Sequence, residues 1–503
     1  MNQLIKIDEP KILFGFNQKL EDPRDGLSIF GPLENLKPYG IISGVVSTKE
    51  GLTKFKDFLN EIKSPVYNRD NITRPFFPGF NSIFKMEWSD ERIFHIPIDE
   101  SELGRCIYHE DVHARTFKTV SLFADKIVNA KKNEDPDVNL WIVIIPDIVY
   151  ETCRPESSLK KELIQTPKNI TKSRAKKLLR EPELWTENKD AEPYDFDANF
   201  HNQLKARLLK HTLPTQIIRE STLAPSLYLN AFGRPKRDFS KIRGHLAWSL
   251  STAAFYKTGG KPWKLADIRK GVCYIGLVFK KDDRGYSPKN ACCAAQMFLD
   301  SGDGFVFKGA VGPWYNPKFG DFHLQYAQAA ELIEMAVKTY EDIEGIPPKE
   351  LFIHARTKFN DNEWRGFKKG AGTETNIVGI TIKDKGQIKI YRDNSKFPIL
   401  RGLAYILNEK SGYLWTIGFV PRLDTSIASE VPNPLLIEIS KGTADIKTVM
   451  QDILSLTKLN YNACIYADGK PVTLRFADAV GDILTAAPLM KNESPPLSFK
   501  YYI

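Results

Sequence analysis

The stretch HARTFKTVSLFADKIVNA (residues 113–130) followed by VNLWIVIIPDIVY (residues 138–150) decides the fold class. The first part reads as a helix. The second is a continuous apolar run with no polar alternation, which suits a parallel strand covered on both faces. Upstream, after an extended start (KILFGF, 11–16) and a turn-rich DPRDG segment (22–26), IISGVVS (41–47) and KEGLTKFKDFLNEI (49–62) read as a strand and an amphipathic helix. Downstream come a helix in FHNQLKARLLK (200–210), a short strand in LPTQIIRES (213–221) and a helical GHLAWSLSTAAFY (244–256). Strands alternating with helices argue for an α/β domain. The Gly-Gly-Lys-Pro break in KTGGKPWKL (257–265) marks a natural boundary.

Beyond that break the rhythm changes. GVCYIGLVF (271–279), NACCAAQMFL (290–299) and GFVFKGAV (304–311) are three strand-like runs in succession. A long helix follows (LQYAQAAELIEMAVKTYEDI, 324–343), then a buried strand (ELFIHA, 350–355) and a polar helix (DNEWRGF, 361–367). NIVGITI (376–382), IKIYR (388–392), YLWTIGFV (413–420) and PLLIEI (434–439) read as further strands. A last helix carries Ile446, Val449, Met450, Ile453 and Leu454 on one face. Three antiparallel strands, a helix, a strand and a helix is the order of a ribonuclease-H-like core.

Composition bounds the class of protein. At 503 residues there is chain enough for several domains, and 42% hydrophobic with 26% charged residues is ordinary for a globular protein. The opening lacks a secretory signal pattern and no run approaches the ~18 apolar residues of a membrane span, so a cytoplasmic location is expected. Cys106, Cys153, Cys273, Cys292, Cys293 and Cys464 form no CxxC and read as reduced core thiols. The net charge of +9 permits a polyanion partner without demanding one. Charge is uneven, however. Residues 154–180 hold nine Lys/Arg against two Glu, and residues 181–197 hold seven acids and one Lys. This segment reads as a charged insertion, either a solvated helical excursion or a surface for nucleic acid or a partner.

No dinucleotide fingerprint, P-loop or HExxH occurs. The sharpest grouping is His201, Lys205, Gln216 and Lys257. His201 and Lys205, four apart on a helix, share a face. Gln216 lies on the next strand, and Lys257 closes the next helix before Gly259–Gly260. Such a set could wrap a phosphate with cationic donors and an amide. The plain alternative is a solvated His/Lys face with an unrelated surface lysine.

The array HNQLKARLLKHTLPTQ (201–216) followed by AAFYKTGGKPW (253–263) resembles the MID domain of Argonautes. By that resemblance His201, Lys205, Gln216 and Lys257 hold the 5′-phosphate of a guide strand. Many Argonautes place a further lysine where this chain has Ala253, so fewer lysines or a metal ion must meet the phosphate charge. The resemblance makes Gln216 and the Ile503 carboxylate, taken as the C-terminal one, candidate Mg2+ ligands. The second half resembles PIWI through IPPKELFIHARTKFNDNEW (346–364), VPNPLLIEI (431–439) and LTKLNYNACIYADGKPVTLRFAD (456–478). At the positions of the metal-binding tetrad this chain has Val278, Leu324, Arg356 and Asp478. Valine and arginine cannot ligate Mg2+, so the expectation is a PIWI domain without catalysis.

The fold implied is therefore α/β: a Rossmann-like MID domain with an N-terminal linker strand region over 1–260, including the insertion at about 154–197, and an inactive ribonuclease-H-like PIWI domain over 261–503. No PAZ domain is expected before MID, as in short prokaryotic Argonautes. The opening EPKILFGFNQKLEDPRDGLSIFGPL (9–33) and the closing stretch look closest to the Argonaute subunit of the TIR–APAZ defence systems called SPARTA. That resemblance implies a heterodimer with a TIR–APAZ protein, a guide RNA, a single-stranded DNA target and a higher oligomer on activation. NAD(P) hydrolysis would belong to the partner, with no membrane involved. Two alternatives stay open: an active guided nuclease or a regulator of a Sir2- or nuclease-type effector, and a bare α/β binding protein with no nucleic acid.

Overall fold

The computed structural model describes residues 3–34, 39–68, 76–134, 136–183, 187–235, 243–281, 291–299, 303–312, 314–316, 318, 320–384, 388–391, 393, 397–427, 431–488 and 498–503. Two sheets organise them. The smaller is all parallel, in the order Trp88–Pro97, Ile41–Ser47, Leu140–Ile145, Thr215–Arg219. Every residue of Leu140–Ile145 is buried, as its unbroken apolar run requires. The larger has nine strands, in the order Gln3–Lys6, Leu403–Asn408, Ser411–Leu414, Leu435–Lys441, Asn376–Asp384, Glu350–Ala355, Val272–Lys281, Ala291–Phe298, Gly304–Gly312. Its centre is parallel: Glu350–Ala355 runs alongside both Asn376–Asp384 and Val272–Lys281. All its other pairings are antiparallel.

The helices begin where the sequence offers a capping oxygen. Thr48 accepts from the Gly51 amide at 3.0 Å to open Lys49–Ile62, whose Phe55, Phe58, Leu59 and Ile62 are buried. Asp111 caps Val112–Asn133 through His113 and Ala114, and Asp445 caps Ile446–Leu456. All five apolar residues expected on one face of that last helix are buried.

Several expected elements change. The apolar run at 138–150 stops being strand at Ile145; Pro146 turns it, and Asp147–Thr152 is a helix. Of IKIYR, residues 388–391 are described and form no strand, while Arg392 lies outside the described residues. Leu403–Asn408 is a strand that the sequence reading passes over. The helix at 361–371 is amphipathic rather than polar, burying Glu363, Trp364 and Phe367. The charged segment has a core of its own in Ala175, Leu178, Ala191 and Tyr194. It is tied down by the Tyr194 hydroxyl donating to Asp111 and by the ring stacking on His113 at 4.4 Å. Cys106, Cys153, Cys273 and Cys464 are free thiols; the Cys292 and Cys293 side chains lie outside the described residues. No helix among the described residues is long and apolar enough to cross a membrane.

The break near residue 260 does not separate the sheets cleanly. Gln3–Lys6 adds to the far edge of the nine-stranded sheet, and Ile12–Leu13 pairs with Lys264–Leu265. Between these strands Glu9 receives Arg401 Nε at 3.0 Å and Lys458 Nζ at 2.6 Å. Arg401 also donates to the Thr457 hydroxyl at 2.8 Å, and the Lys458 ammonium sits 3.4 Å from the Tyr466 ring centre. Burial pushes the Glu9 carboxyl up, but Arg401 and Lys458 outweigh it and hold it below the usual carboxylate range. Removing one member of a buried ionic cluster leaves uncompensated charge. We therefore expect Glu9→Ala to cost about 3–5 kcal/mol, measured as a lowered urea midpoint at unchanged slope. A midpoint within error of the parent chain would refute the role given to this cluster.

Candidate functional site

The helix Phe200–Leu209 is capped by Asn199, which accepts from the Asn202 amide at 3.2 Å. Capping fixes its first turn, so His201 and Lys205 emerge one turn apart on the same side. The helix Arg243–Lys257 ends on Lys257 because Gly259 takes φ 104, a left-handed conformation that favours glycine. Gly260 then passes so close to Phe255 that a Cβ would come within 2.4 Å of its ring. The two glycines thus place Lys257 at a sharp stop facing the strand Thr215–Arg219.

The lysines converge on one carbonyl. Thr215 O accepts from Lys205 Nζ at 2.7 Å and from Lys257 Nζ at 3.1 Å. Lys257 also donates to Gln216 Oε1 at 2.5 Å, and Lys205 to the Ile503 main-chain oxygen at 2.7 Å. Lys205 is 2% and Lys257 1% exposed, and neither forms an ion pair with a side-chain carboxylate among the described residues. Burial pushes Lys205 down to about 7. It also pushes Lys257 well below the ordinary lysine value, and the Lys205 charge acts the same way. A buried cation with no carboxylate side chain beside it is costly, and an incoming anion would lower that cost.

His201 stands exposed at the edge of this pair and lines a cavity. Desolvation by the protein around it lowers the imidazole, and the Lys205 and Lys257 charges lower it further, so it is neutral near pH 7. Beside it opens a cavity of about 350 Å3 lined by Tyr150, Arg154, Phe200, Ile217 and Arg219 among others. Two guanidiniums lie over the Tyr150 ring, Arg154 at 4.5 Å and Arg219 at 4.1 Å from its centre. The sequence analysis missed this cluster; the i, i+4 spacing of Tyr150 and Arg154 was its one local signal.

The structure thus gathers Lys205, Gln216, Lys257 and Ile503, with His201 at the rim. The two oxygens suggested as Mg2+ ligands do not fit a divalent ion as arranged. Gln216 Oε1 and Ile503 O each already accept from an ammonium group, and two adjacent cations oppose a third. The described residues contain no cluster of three His, Cys, Asp or Glu able to hold a metal.

The four tetrad-position residues fall differently. Val278 lies on the strand Val272–Lys281 opposite Ala294, and its side chain lies outside the described residues. Leu324 is buried in the apolar cluster between sheet and helices, its amide donating to Glu363 Oε1 at 3.0 Å. The neighbouring His323 lies 3.2 Å from both Glu363 and Asp321, and the hydrogen bond to Glu363 raises its pKa. Arg356 pairs with Asp478 through two hydrogen bonds of 3.0 and 2.8 Å.

No protein-family model matches the chain, and no curated protein sequence matches it. Solved structures do. Clostridium butyricum Argonaute bound to a guide DNA and a 19-mer target DNA aligns with a TM-score of 0.59 at 16% identity, covering 97% of this chain and 53% of that one. Drosophila Piwi aligns at 0.58 with 13% identity, over 99% of this chain and 56% of that one. Aquifex aeolicus Argonaute aligns at 0.52 with 16% identity, over 99% and 57%. The chain has an Argonaute fold and spans little more than half the length of these structures.

The buried lysines give a pH signature. A lysine whose folded pKa lies below its unfolded value binds fewer protons when folded, so stability rises with pH between the two values. For Lys205 that window runs from about 7 to 10.5. The chain without ligand is expected to gain thermal stability across it, and Lys205→Met to flatten the gain. An identical slope in parent and variant would show that Lys205 is not desolvated.

Proposed function

We propose that this chain grips the 5′-phosphorylated end of a short guide strand and presents the guide for pairing with a target. The observation that carries the proposal is the pair of buried ammoniums, Lys205 and Lys257, meeting on the Thr215 carbonyl with no carboxylate side chain to neutralise them. A terminal phosphate brings the missing charge and several acceptor oxygens. His201 at the rim supplies a further donor or acceptor. In this reading the four-stranded parallel sheet and its helices are the Rossmann-like MID domain, and the nine-stranded sheet is the ribonuclease-H-like PIWI domain. Sequence is read by base pairing, and the protein needs mainly backbone contacts.

The phosphate is assigned to the lysines directly, without the Mg2+ that Ala253 suggested, because the ligand oxygens are already taken. Target cleavage is not assigned to this chain. A guanidinium bound to Asp478 and an apolar, buried Leu324 support that part of the reading. An effector response would then reside on a second protein, and a TIR–APAZ chain that hydrolyses NAD(P) is the partner we propose, with guide RNA and single-stranded DNA as the nucleic acids. Co-purification of the chain with its genomic neighbour tests that assignment; a Sir2- or nuclease-type partner would replace it. Robust cutting of a matched target with Mn2+ would overturn the non-catalytic assignment.

A charge-assisted hydrogen bond is worth about 1.5–3 kcal/mol, or roughly a tenfold to hundredfold change in affinity. Lys257→Ala is therefore expected to weaken a 5′-phosphorylated guide by that factor in a filter-binding titration, and a 5′-hydroxyl guide hardly at all. Equal losses for both guides would remove the phosphate from this pocket. Chelating divalent ions with EDTA should leave the 5′-phosphate preference within about threefold of its starting value; its collapse would restore the metal.

A further inference from the structure

The helices Val112–Asn133 and Phe200–Leu209 pack against each other, and a cavity of about 330 Å3 is lined by residues of both. Arg207 lines it. Two residues beyond Lys205, it leaves its helix about 200° further round the axis, so this cavity is separate from the lysine pocket. The Arg207 guanidinium lies 4.4 Å from the Phe117 ring centre and 4.5 Å from that of Phe196. Its Nη1 donates to Ser121 Oγ at 2.7 Å, and that hydroxyl donates to the Phe117 carbonyl at 2.9 Å, which fixes the orientation of the group. Nε and Nη2 are buried and have no hydrogen-bond partner among the described residues. These two donors form one edge of the planar fork, which can hold two oxygens side by side. Burial pushes the guanidinium below its ordinary value, and Asp125 and Glu192 offset this only in part. The other charged groups of the lining balance: Lys132 and Lys210 are exposed, as are Asp125 and Glu192. With His211 neutral, the charge left over is that of Arg207. Ala124, Val128 and Ala206 make much of the rest apolar.

We propose that this cavity binds a small monocarboxylic acid with an apolar body, seating its carboxylate on the Nε/Nη2 edge of Arg207. Donors left unpaired in a buried setting are costly, and a carboxylate supplies both missing acceptors at once. One negative charge matches the one cation that the lining leaves uncompensated. A phosphate dianion would exceed it and meet Asp125 and Glu192 with the surplus. The apolar body of the acid would lie against Phe117, Phe196 and Val128. Phe117 and Phe196 are only partly buried, so their rings can shift to admit the acid to the donors. The volume is that of a pocket for a molecule of metabolite size. None of this depends on the guide-binding reading, which uses Lys205 and Lys257.

The test is calorimetric titration of the full chain with 3-phenylpropionate, 4-phenylbutyrate and octanoate, each beside its uncharged primary amide. The tightest acid is expected to bind at least about tenfold better than its amide, and Arg207→Gln to abolish that preference. Asp125→Asn removes an opposing charge and should tighten the acid roughly two- to fivefold, a gain that damage to the fold would not give. Equal affinity for acids and amides overturns the proposal, and so does an unchanged preference in Arg207→Gln. Failure of all three acids to bind at millimolar concentration also overturns it. Phenyl phosphate binding more tightly than every acid would make this a phosphate site instead. A peptide ending in phenylalanine that outbinds the free acids about tenfold would make it a seat for a protein terminus, and either result overturns the small-molecule assignment.

Discussion

Two ammonium groups share the carbonyl of Thr215, and this crowding of buried positive charge is the constraint around which the first half of the chain is arranged. Neither lysine can reach water, and neither has an acidic side chain to meet it. The hydrogen bonds to the Thr215 carbonyl and the Gln216 amide satisfy their protons without neutralising their charge. Burying an ion in this way lowers stability unless something compensates, and in a protein with a small net stability such a cost marks a place where a ligand belongs. The physical content of the site is thus a deficit of negative charge, held in place by a capped helix, a glycine stop and a strand.

The same site depends on the opposite end of the chain. Residues 498–503 run back from the nine-stranded sheet, with Phe499 edge-on to Phe298 and Phe476, and deliver the Ile503 oxygen to Lys205. At the other terminus, Gln3–Lys6 and Glu9 belong spatially to the large sheet although they precede the small one in sequence. Each half therefore lends a segment to the other. A pocket assembled from both sheets responds to changes in either.

In the second half the electrostatic sign has turned over. Where a metal site needs converging carboxylates, the carboxyl ends of the parallel strands carry Arg356, Lys383 and Lys470, with acids in the role of counter-ions. Such a surface is electrostatically suited to an anion. The buried Leu324 and the neighbouring His323–Glu363 contact fix the adjoining loop to the helix Asp361–Ala371. That loop is held by packing and a hydrogen bond rather than left free.

Much of this was legible locally. Helical patterns in the sequence pointed to Lys49–Ile62, Val112–Asn133 and Ile446–Leu456, and apolar runs pointed to the central strands of both sheets. The order His, Lys, Gln, Lys-Thr-Gly-Gly named the residues that the fold brings together, because each sits at a fixed offset within its own helix, strand or helix end. What the sequence could not determine are the features set by distant packing. Pro146 divided one apolar run into strand and helix, and four apolar residues gave the charged insertion a core. Tyr150 found Arg219 on another element, and Arg356 found Asp478 across the sheet. The oxygens offered as metal ligands were claimed by lysines from two other helices. Periodicity and capping act over a few residues and so are written in the sequence, whereas charge compensation depends on which groups the folded chain places within a few ångströms, and only the tertiary structure decides that.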